Sequence, residues 1–453
     1  MKKIFAILSL ASALILPAAA DGGIEFSGTV ESVWGVAAPW TDSDAAGKFT
    51  LGTTSFKGEL EAFYGNSSAY AQADFSYDAC GALNGTGGSG NIGNGLNISL
   101  GELWIDYTES FWGIRIGRQK AAWGKADGVD VTNVLCPSNM TSLQTMISDD
   151  SKLAVDALRV SLSGDSFTAD AWWIPFFTPA SLPLDEGNTL KEFMVPSAVN
   201  FPLGGGVVLP LPVEIGELET PSRAIWNGEY ALKLSGYFSA LDLSLYGFYG
   251  WDDMPVLDYE LQGSYPSYAG LAINGEYRHM GMIGVDAALP IEAIVLRTET
   301  AFFPVRSFQK SAEKIITEKM YSSDVDSFET HNEISGLVGI DWMPSGWTLT
   351  AQYFCDFVFG SMENLEREDS YTHGMTVSVS KSLVNETLEL SLAGLLNFND
   401  LDSMISPSVT YSLSDQISIG GGAYIFIPGP DSDGQYGAYK DLSSFYLNAK
   451  FSF

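Results

Sequence analysis

From Ile24 onward, hydrophobic and polar residues alternate with a period of two. At the C-terminus Phe445, Leu447, Ala449, Phe451 and Phe453 fall on one face, and Tyr446, Asn448, Lys450 and Ser452 on the other. Leu241, Leu243 and Leu245 alternate with Asp242 and Ser244, and Leu388, Leu390 and Leu392 with Glu389 and Ser391. Trp347, Leu349, Ala351 and Tyr353 likewise alternate with Thr348, Thr350 and Gln352. Each is a strand with one apolar side. The pattern fits a soluble sandwich, or a barrel with lipid outside and water inside.

Connection lengths separate the two. Very short turns are expected near Glu109-Ser110, Gly164-Asp165, Ser239-Ala240, Leu289-Pro290, Pro344-Ser345 and Leu413-Ser414, with long connections over residues 37–54, 79–95, 120–151, 175–222 and 304–326 between the pairs. Strict alternation of short turn and long loop is the habit of outer-membrane barrels. The fold expected is therefore all-β: a closed, transmembrane, antiparallel up-and-down β-barrel of about 18 strands, with 16 as the alternative, and with long external loops. An even count puts both termini on the periplasmic side. Beyond the N-terminal segment no apolar run reaches the roughly 18 residues a spanning helix needs. A barrel of about 16 to 18 strands leaves an aqueous channel, which points to transport.

Composition narrows the reading. The 453 residues include 55 Asp and Glu against 23 Lys and Arg, a net charge of −32, which excludes a nucleic-acid partner on electrostatic grounds. With 26 Phe, 20 Tyr and 11 Trp the chain is not disordered. Lys2 and Lys3, an apolar stretch from Ile4 to Leu16, and Pro17 before Ala18-Ala19-Ala20 have the form of an export signal over residues 1–20, leaving one barrel domain over 21–453 in the outer membrane of a diderm bacterium. Three cysteines, Cys80, Cys136 and Cys355, rule out a disulfide scaffold; a Cys80 to Cys136 bridge and three unpaired thiols are the two alternatives.

With the apolar face outward, the lumen face can be read. Glu102, Trp104 and Asp106 point inward between Leu103, Ile105 and Tyr107; Arg115 points inward between Ile114 and Ile116; Arg159 lies between Leu158 and Val160; Arg297 and Glu299 share a face. A Lys or Arg facing mid-membrane lipid costs about 2 to 4 kcal/mol, which favours each inward assignment. Arg118 shares phase with Ile116, so it lines the pore with Gln119 only if the strand has ended or a bulge at Gly117 resets it. The expected pore-lining set is thus Glu102, Asp106, Arg115, Arg118, Gln119, Arg159, Arg297 and Glu299, acting as cross-strand ion pairs or as a selectivity ring.

Gly117-Arg118-Gln119-Lys120-Ala121-Ala122-Trp123-Gly124 leads into Asn133-Val134-Leu135-Cys136-Pro137 and then Asp149-Asp150-Ser151-Lys152-Leu153; Asp252-Asp253-Met254-Pro255 and Leu296-Arg297-Thr298-Glu299 follow. In this order of motifs the chain resembles a family of large bacterial outer-membrane β-barrels of unknown function, themselves porin-like, from about Gly101 to Phe453. The resemblance implies a porin-like barrel without fixing the solute, and the chain departs from the family in its acidity and in Cys136 before Pro137. The terminal Phe453 also resembles the signature by which the barrel-assembly machinery recognises its clients.

Residues 120–151 are too long for a turn and carry Trp123, Val129, Val131, Leu135, Met140, Leu143 and Met146, so they either fold into the lumen or pack on the rim. Residues 175–222 hold eight of the 19 prolines, which argues against a sheet interior; the apolar run Val207 to Val213 is a candidate mouth cap, hydrophobic capture site or short rim strand. Loop carboxylates (Asp42, Asp44, Glu363, Glu366, Glu368, Asp369, Asp431, Asp433) favour cations and disfavour phosphate, without the spacing of a calcium loop. His279, His331 and His373 form no evident Ser, His and acid set, and no GxSxG, HExxH or phosphate-cradling motif occurs, so no catalysis, metal or cofactor is expected. The expectation is a passive porin-like channel for small hydrophilic solutes or cations, with outer-membrane lipid and the assembly machinery as partners; a transporter of hydrophobic compounds and a surface adhesin are the alternatives.

Overall fold

Alternation of apolar and polar side chains becomes the two faces of a wall. In a computed structural model the strands β1 (Gly22–Ala37), β2 (Phe49–Tyr64), β3 (Ser67–Asp78), β4 (Leu96–Thr108), β5 (Trp112–Gln119), β6 (Val155–Ser163) and β7 (Phe167–Ile174) pair in chain order. After an excursion through β8 (Ala198–Gly204) and β9 (Val207–Glu219), the wall continues with β10 (Glu229–Tyr237) and β11 (Asp242–Trp251). A second excursion through β12 (Val256–Ser264) and β13 (Ser267–Glu276) precedes β14 (His279–Ile291), β15 (Ile294–Gln309) and β16 (Phe328–Trp342). The wall ends with β17 (Trp347–Phe359), β18 (Tyr371–Leu383), β19 (Leu388–Asn397), β20 (Asp402–Ser412), β21 (Ile417–Ile427) and β22 (Ser444–Ser452). Pairing of β22 with β1, from Thr29↔Ser452 to Ala37↔Ser444, closes an antiparallel barrel of 18 strands, the number expected. The structure describes residues 22–453 except 40–43, 85–94, 148–150, 186–187, 189, 192–194, 205–206, 265–266, 323 and 431–433. The expected export signal, Asp42, Asp149, Asp150, Asp431 and Asp433 lie outside the described residues.

Apolar side chains of the wall face outward: Phe26, Ile105, Ile116, Ile283 and Leu447 are all exposed on the barrel surface, Leu447 at 72%. No protein packing covers them, the arrangement of a wall made to face lipid. Both ends of the wall chain and the short turns lie at one rim. One expected turn is misplaced: Leu289 and Pro290 continue β14, paired with Leu296 and Val295, and the chain reverses at Glu292 and Ala293, with Glu292 at φ 54. Two expected long loops shrink because the strands outrun them: β2 begins at Phe49 and β15 continues to Gln309.

At the other rim a separate four-stranded sheet forms in the order β12-β13-β9-β8. Of the alternatives for Val207 to Val213 the strand is the one found, but β9 lies between β13 and β8, which corrects the expectation that proline keeps these residues out of a sheet interior. The Val213 N–H reaches the Ser197 carbonyl on the β8 side, so the ring nitrogens of Pro210 and Pro212 point the other way, and there β13 begins to pair only at Val213. Where the prolines sit, β9 is an edge strand on that side, which proline tolerates. The run is partly used in packing: Leu211 is buried with Leu271 and with Ile316 of a helix over Ala312–Lys319, and Leu209 and Val213 pack against that cluster, while Val208 stays exposed. Gln309, the last residue of β15, ties the sheet to the wall through the Leu257 N–H (2.6 Å) and carbonyl (2.9 Å).

Candidate functional site

Beyond Gln119 the chain turns into the lumen, which decides between the two placements open for residues 120–151. Trp123, Val131, Leu135 and Cys136 are buried against inward-facing wall residues that include Trp172, Tyr246, Phe248, Met282 and Phe303. Burial of a large apolar side chain is worth about 1.5–3 kcal/mol, so this patch alone holds the segment inside. Farther along, a short helix over Leu143–Ile147 carries Leu143 to the opposite wall, where it packs with Val33, Leu51, Tyr424 and Phe426. The segment therefore touches both sides of the lumen. Residues from the next loop reinforce it: the Met140 N–H donates to the Ser181 carbonyl (2.8 Å) and Asn188 Nδ2 to the Thr141 carbonyl (2.8 Å).

Polar anchors fix the middle of the crossing. Glu299 on β15 is 1% exposed, and its carboxylate accepts four hydrogen bonds from the loop. Oε2 takes the N–H groups of Lys125 (2.6 Å) and Ala126 (3.1 Å), and Oε1 takes the N–H (2.6 Å) and hydroxyl (2.7 Å) of Thr132. Two residues away, Arg297 donates to the Lys125 carbonyl, Asp127 and Asp341, each at 2.6 Å. Gln352 on β17 clasps Asp127, accepting from its N–H (3.1 Å) and donating to its carbonyl (2.7 Å). Gly124 explains the Trp-Gly motif: its φ is +85°, and a Cβ there would lie 2.5 Å from Glu299 Oε1, so only glycine fits. Its N–H donates to the Tyr246 hydroxyl (3.2 Å), which in turn donates to Asp286, directly across the strand pair from Glu299.

Two charged regions line the wall. On β1 and β2, Glu25 stands opposite Glu61, and Glu59 accepts from the Tyr70 hydroxyl (2.6 Å); together they border a cavity of about 480 Å³. On β4 to β7, Asp106, Arg115, Arg159 and Trp172 are successive cross-strand partners.

The residues expected to line the pore thus divide. Asp106, Arg115 and Arg159 meet on one wall. Arg297 forms the expected cross-strand ion pair, with Asp341, and a second ion pair with Asp127 of the loop; Glu299 holds the loop by hydrogen bonds alone, a role that neither ion pair nor selectivity ring describes. Glu102 Oε1 accepts the Lys120 N–H (2.8 Å) where the loop begins, and Gln119, fully buried, donates to the Ala157 carbonyl (2.9 Å). Arg118 departs from the expectation. Pairing runs unbroken through Gly117, so Arg118 keeps the outer phase of Ile116, opposite Leu103, with Asp156 at 3.8 Å. Cys80 and Cys136 do not bridge. The Cys136 sulfur accepts the Ala121 N–H (3.2 Å), and burial pushes its thiol up to about 11. Asp127, Thr132, Tyr246, Asp286 and Asp341 escaped the sequence reading; Gly124 stands in it only as part of the Trp-Gly motif and Gln352 only on the polar face of its strand.

Residues 43–453 match a family described as "Protein of unknown function (DUF1302)". No curated protein matches the chain. Among solved structures, OccK8 (OprE) of Pseudomonas aeruginosa is 12% identical with a TM-score of 0.50, over 95% of this chain and 98% of that one. OccAB3 of Acinetobacter baumannii is 8% identical with a TM-score of 0.51, over 95% and 99%. The outer membrane channel DcaP of Acinetobacter baumannii is 9% identical with a TM-score of 0.44, over 97% and 99%. At these identities the likeness is one of fold: the closed barrel resembles outer-membrane porins.

Proposed function

This chain belongs to the DUF1302 family of proteins of unknown function, and on that premise we propose that it is an outer-membrane channel for passive diffusion of small hydrophilic solutes. The observation that carries the reading is the loop pinned across the lumen by Glu299 and Arg297, because a wall whose interior anchors a constriction is built to sieve. The width of an 18-stranded barrel supports it, since such a barrel is too wide for wall side chains to fill. Export through the N-terminal signal, insertion aided by recognition of Phe453, and residence in the outer membrane belong to the same proposal. The acidic excess adds a preference for cations over anions at the mouths. The apolar run in β9, whose Leu211, Leu209 and Val213 pack in its own cluster, gives less support to a capture site for hydrophobic compounds.

The test is single-channel recording from the refolded mature chain in planar bilayers with a salt gradient. Steady current steps with a reversal potential of cationic sign are expected. Silence from a barrel shown to be folded by its heat-dependent migration in gels would refute the channel.

A further inference from the structure

Arg115 and Arg159 face the lumen directly opposite each other on adjacent strands. Like charges in that position repel, and a wall braced by ion pairs would give each its own acid. Instead Asp106 serves both, 3.0 Å from Arg115 Nε and 3.9 Å from the Arg159 guanidinium. The other acid within reach, Asp170, accepts the Ser161 hydroxyl and lies 4.0 Å from Arg159 Nε, which is buried and makes no hydrogen bond. Both guanidinium groups lie over indoles: the Arg115 carbon is 3.6 Å from the Trp104 ring centre and the Arg159 carbon 5.5 Å from that of Trp172. Tyr70 stacks on Trp104 at 5.5 Å. A guanidinium lying over an aromatic face presents its N–H edges sideways, the geometry that receives a carboxylate.

We propose that Trp104, Arg115 and Arg159, backed by the buried Trp172, form a docking site for the carboxylate of a zwitterionic organic solute with a planar apolar body. The inference rests on the channel reading and names a solute class for it. A net charge of −32, with Glu25, Glu59 and Glu61 on the neighbouring wall, repels a simple anion before it reaches the arginines. A zwitterion carries no net charge to be repelled. Its cationic end meets the carboxylates of β2 while its carboxylate meets Arg115 and Arg159. From β2 to β5 are three strand spacings, about 14 Å, and the stacked rings of Tyr70 and Trp104 floor the gap between.

Titration calorimetry on the refolded full-length barrel in detergent, with 4-(aminomethyl)benzoate, benzoate and benzylamine as probes, tests the site without requiring conduction. The zwitterion should bind about tenfold or more tighter than either singly charged probe. Arg159→Gln should weaken it by about tenfold, and Arg159→Lys, which keeps the charge and loses the planar fork, should fall between. The double variant Arg115→Gln with Asp106→Asn removes the other arginine without leaving a buried carboxylate unpartnered, and should weaken binding as much. Benzoate binding as tightly as the zwitterion, affinity unchanged in folded variants, or no binding of any probe would each overturn the proposal. Failure here in a barrel that conducts removes the site alone; zwitterion binding in a barrel that is silent in bilayers removes the channel alone.

Discussion

Replacing Glu299 by alanine should release the loop from the lumen. Its carboxylate receives three backbone N–H groups and one hydroxyl between 2.6 and 3.1 Å, and all four donors lie in the lumen interior. A hydrogen bond to a charged acceptor contributes about 1.5–3 kcal/mol. Such terms do not add fully, because the freed loop recovers water, so a net loss of about 3–6 kcal/mol in docking is a fair reckoning. At about 1.4 kcal/mol per decade the docked-to-undocked ratio then falls by roughly a hundredfold to ten-thousandfold. The wall should survive, since β15 keeps its ladders to β14 and β16. Glu299→Gln retains one acceptor oxygen, turns an NH2 toward two donors, and should show part of the effect. Three readouts follow: larger and noisier unitary currents, tryptic cleavage at Lys125, and faster labelling of Cys136, whose thiol burial now holds near 11. Unchanged current, cleavage and labelling in a folded Glu299→Ala barrel would refute the claim that this carboxylate holds the constriction.

Three further outcomes are expected. Asp402 accepts the N–H groups of Tyr436 (2.6 Å) and Gly437 (2.7 Å) through one oxygen; Asp402→Ala should loosen residues 434–443 by about 2–4 kcal/mol, read as faster hydrogen exchange there with the wall unchanged. Burial, then the neighbouring Asp252, raises the Asp253 carboxyl above its ordinary value. The folded state thus holds this proton more tightly than the unfolded state, so the folded state loses stability as pH rises from the unfolded carboxyl's value, about 3.9, through the folded one. Asp253→Asn should flatten that slope in exchange measured between pH 3 and 7. Phe453 exchanges both backbone hydrogen bonds with Gly28 (2.9 and 3.0 Å) and its ring lies by Phe26 and Phe56; Phe453→Ala should lower the yield of heat-modifiable barrel in vivo more than it lowers stability in vitro, whereas equal losses would leave no role in assembly.

The wall was legible because its signal is local: alternation along each strand names the outward residues, and turn length orders the ends. The misplaced reversal at Leu289-Pro290 shows the limit, since proline read as a turn residue while the bend falls on Glu292 in a left-handed conformation. A strand over Val207 to Val213 is one of the sequence alternatives, but its place inside a four-stranded sheet is not legible, because Pro210 and Pro212 argue against an interior strand unless one knows which side is unpaired. The inward loop was half legible. Its apolar residues are evident, but Glu299 lies 167 residues from Thr132 and Gln352 lies 225 from Asp127, and no local pattern records such distances. A charged pair two apart on a strand reads as wall chemistry until the loop is placed over it.

Closure of the wall by its first and last strands has a kinetic consequence. Every other wall pairing joins strands adjacent in the wall's chain order, but Thr29 and Ser452, in contact at the seam, are 423 residues apart. Ring-closing entropy grows only slowly with length, about 0.6 kcal/mol per doubling, so the seam is cheap to hold once made; finding it is the slow step, because nothing local guides it. Until the last strand arrives, β1 and the growing sheet both present raw hydrogen-bonding edges to the membrane, where an unpaired backbone group costs several kcal/mol. A chain built this way is safest when its final segment is the one that is caught first and held beside its beginning.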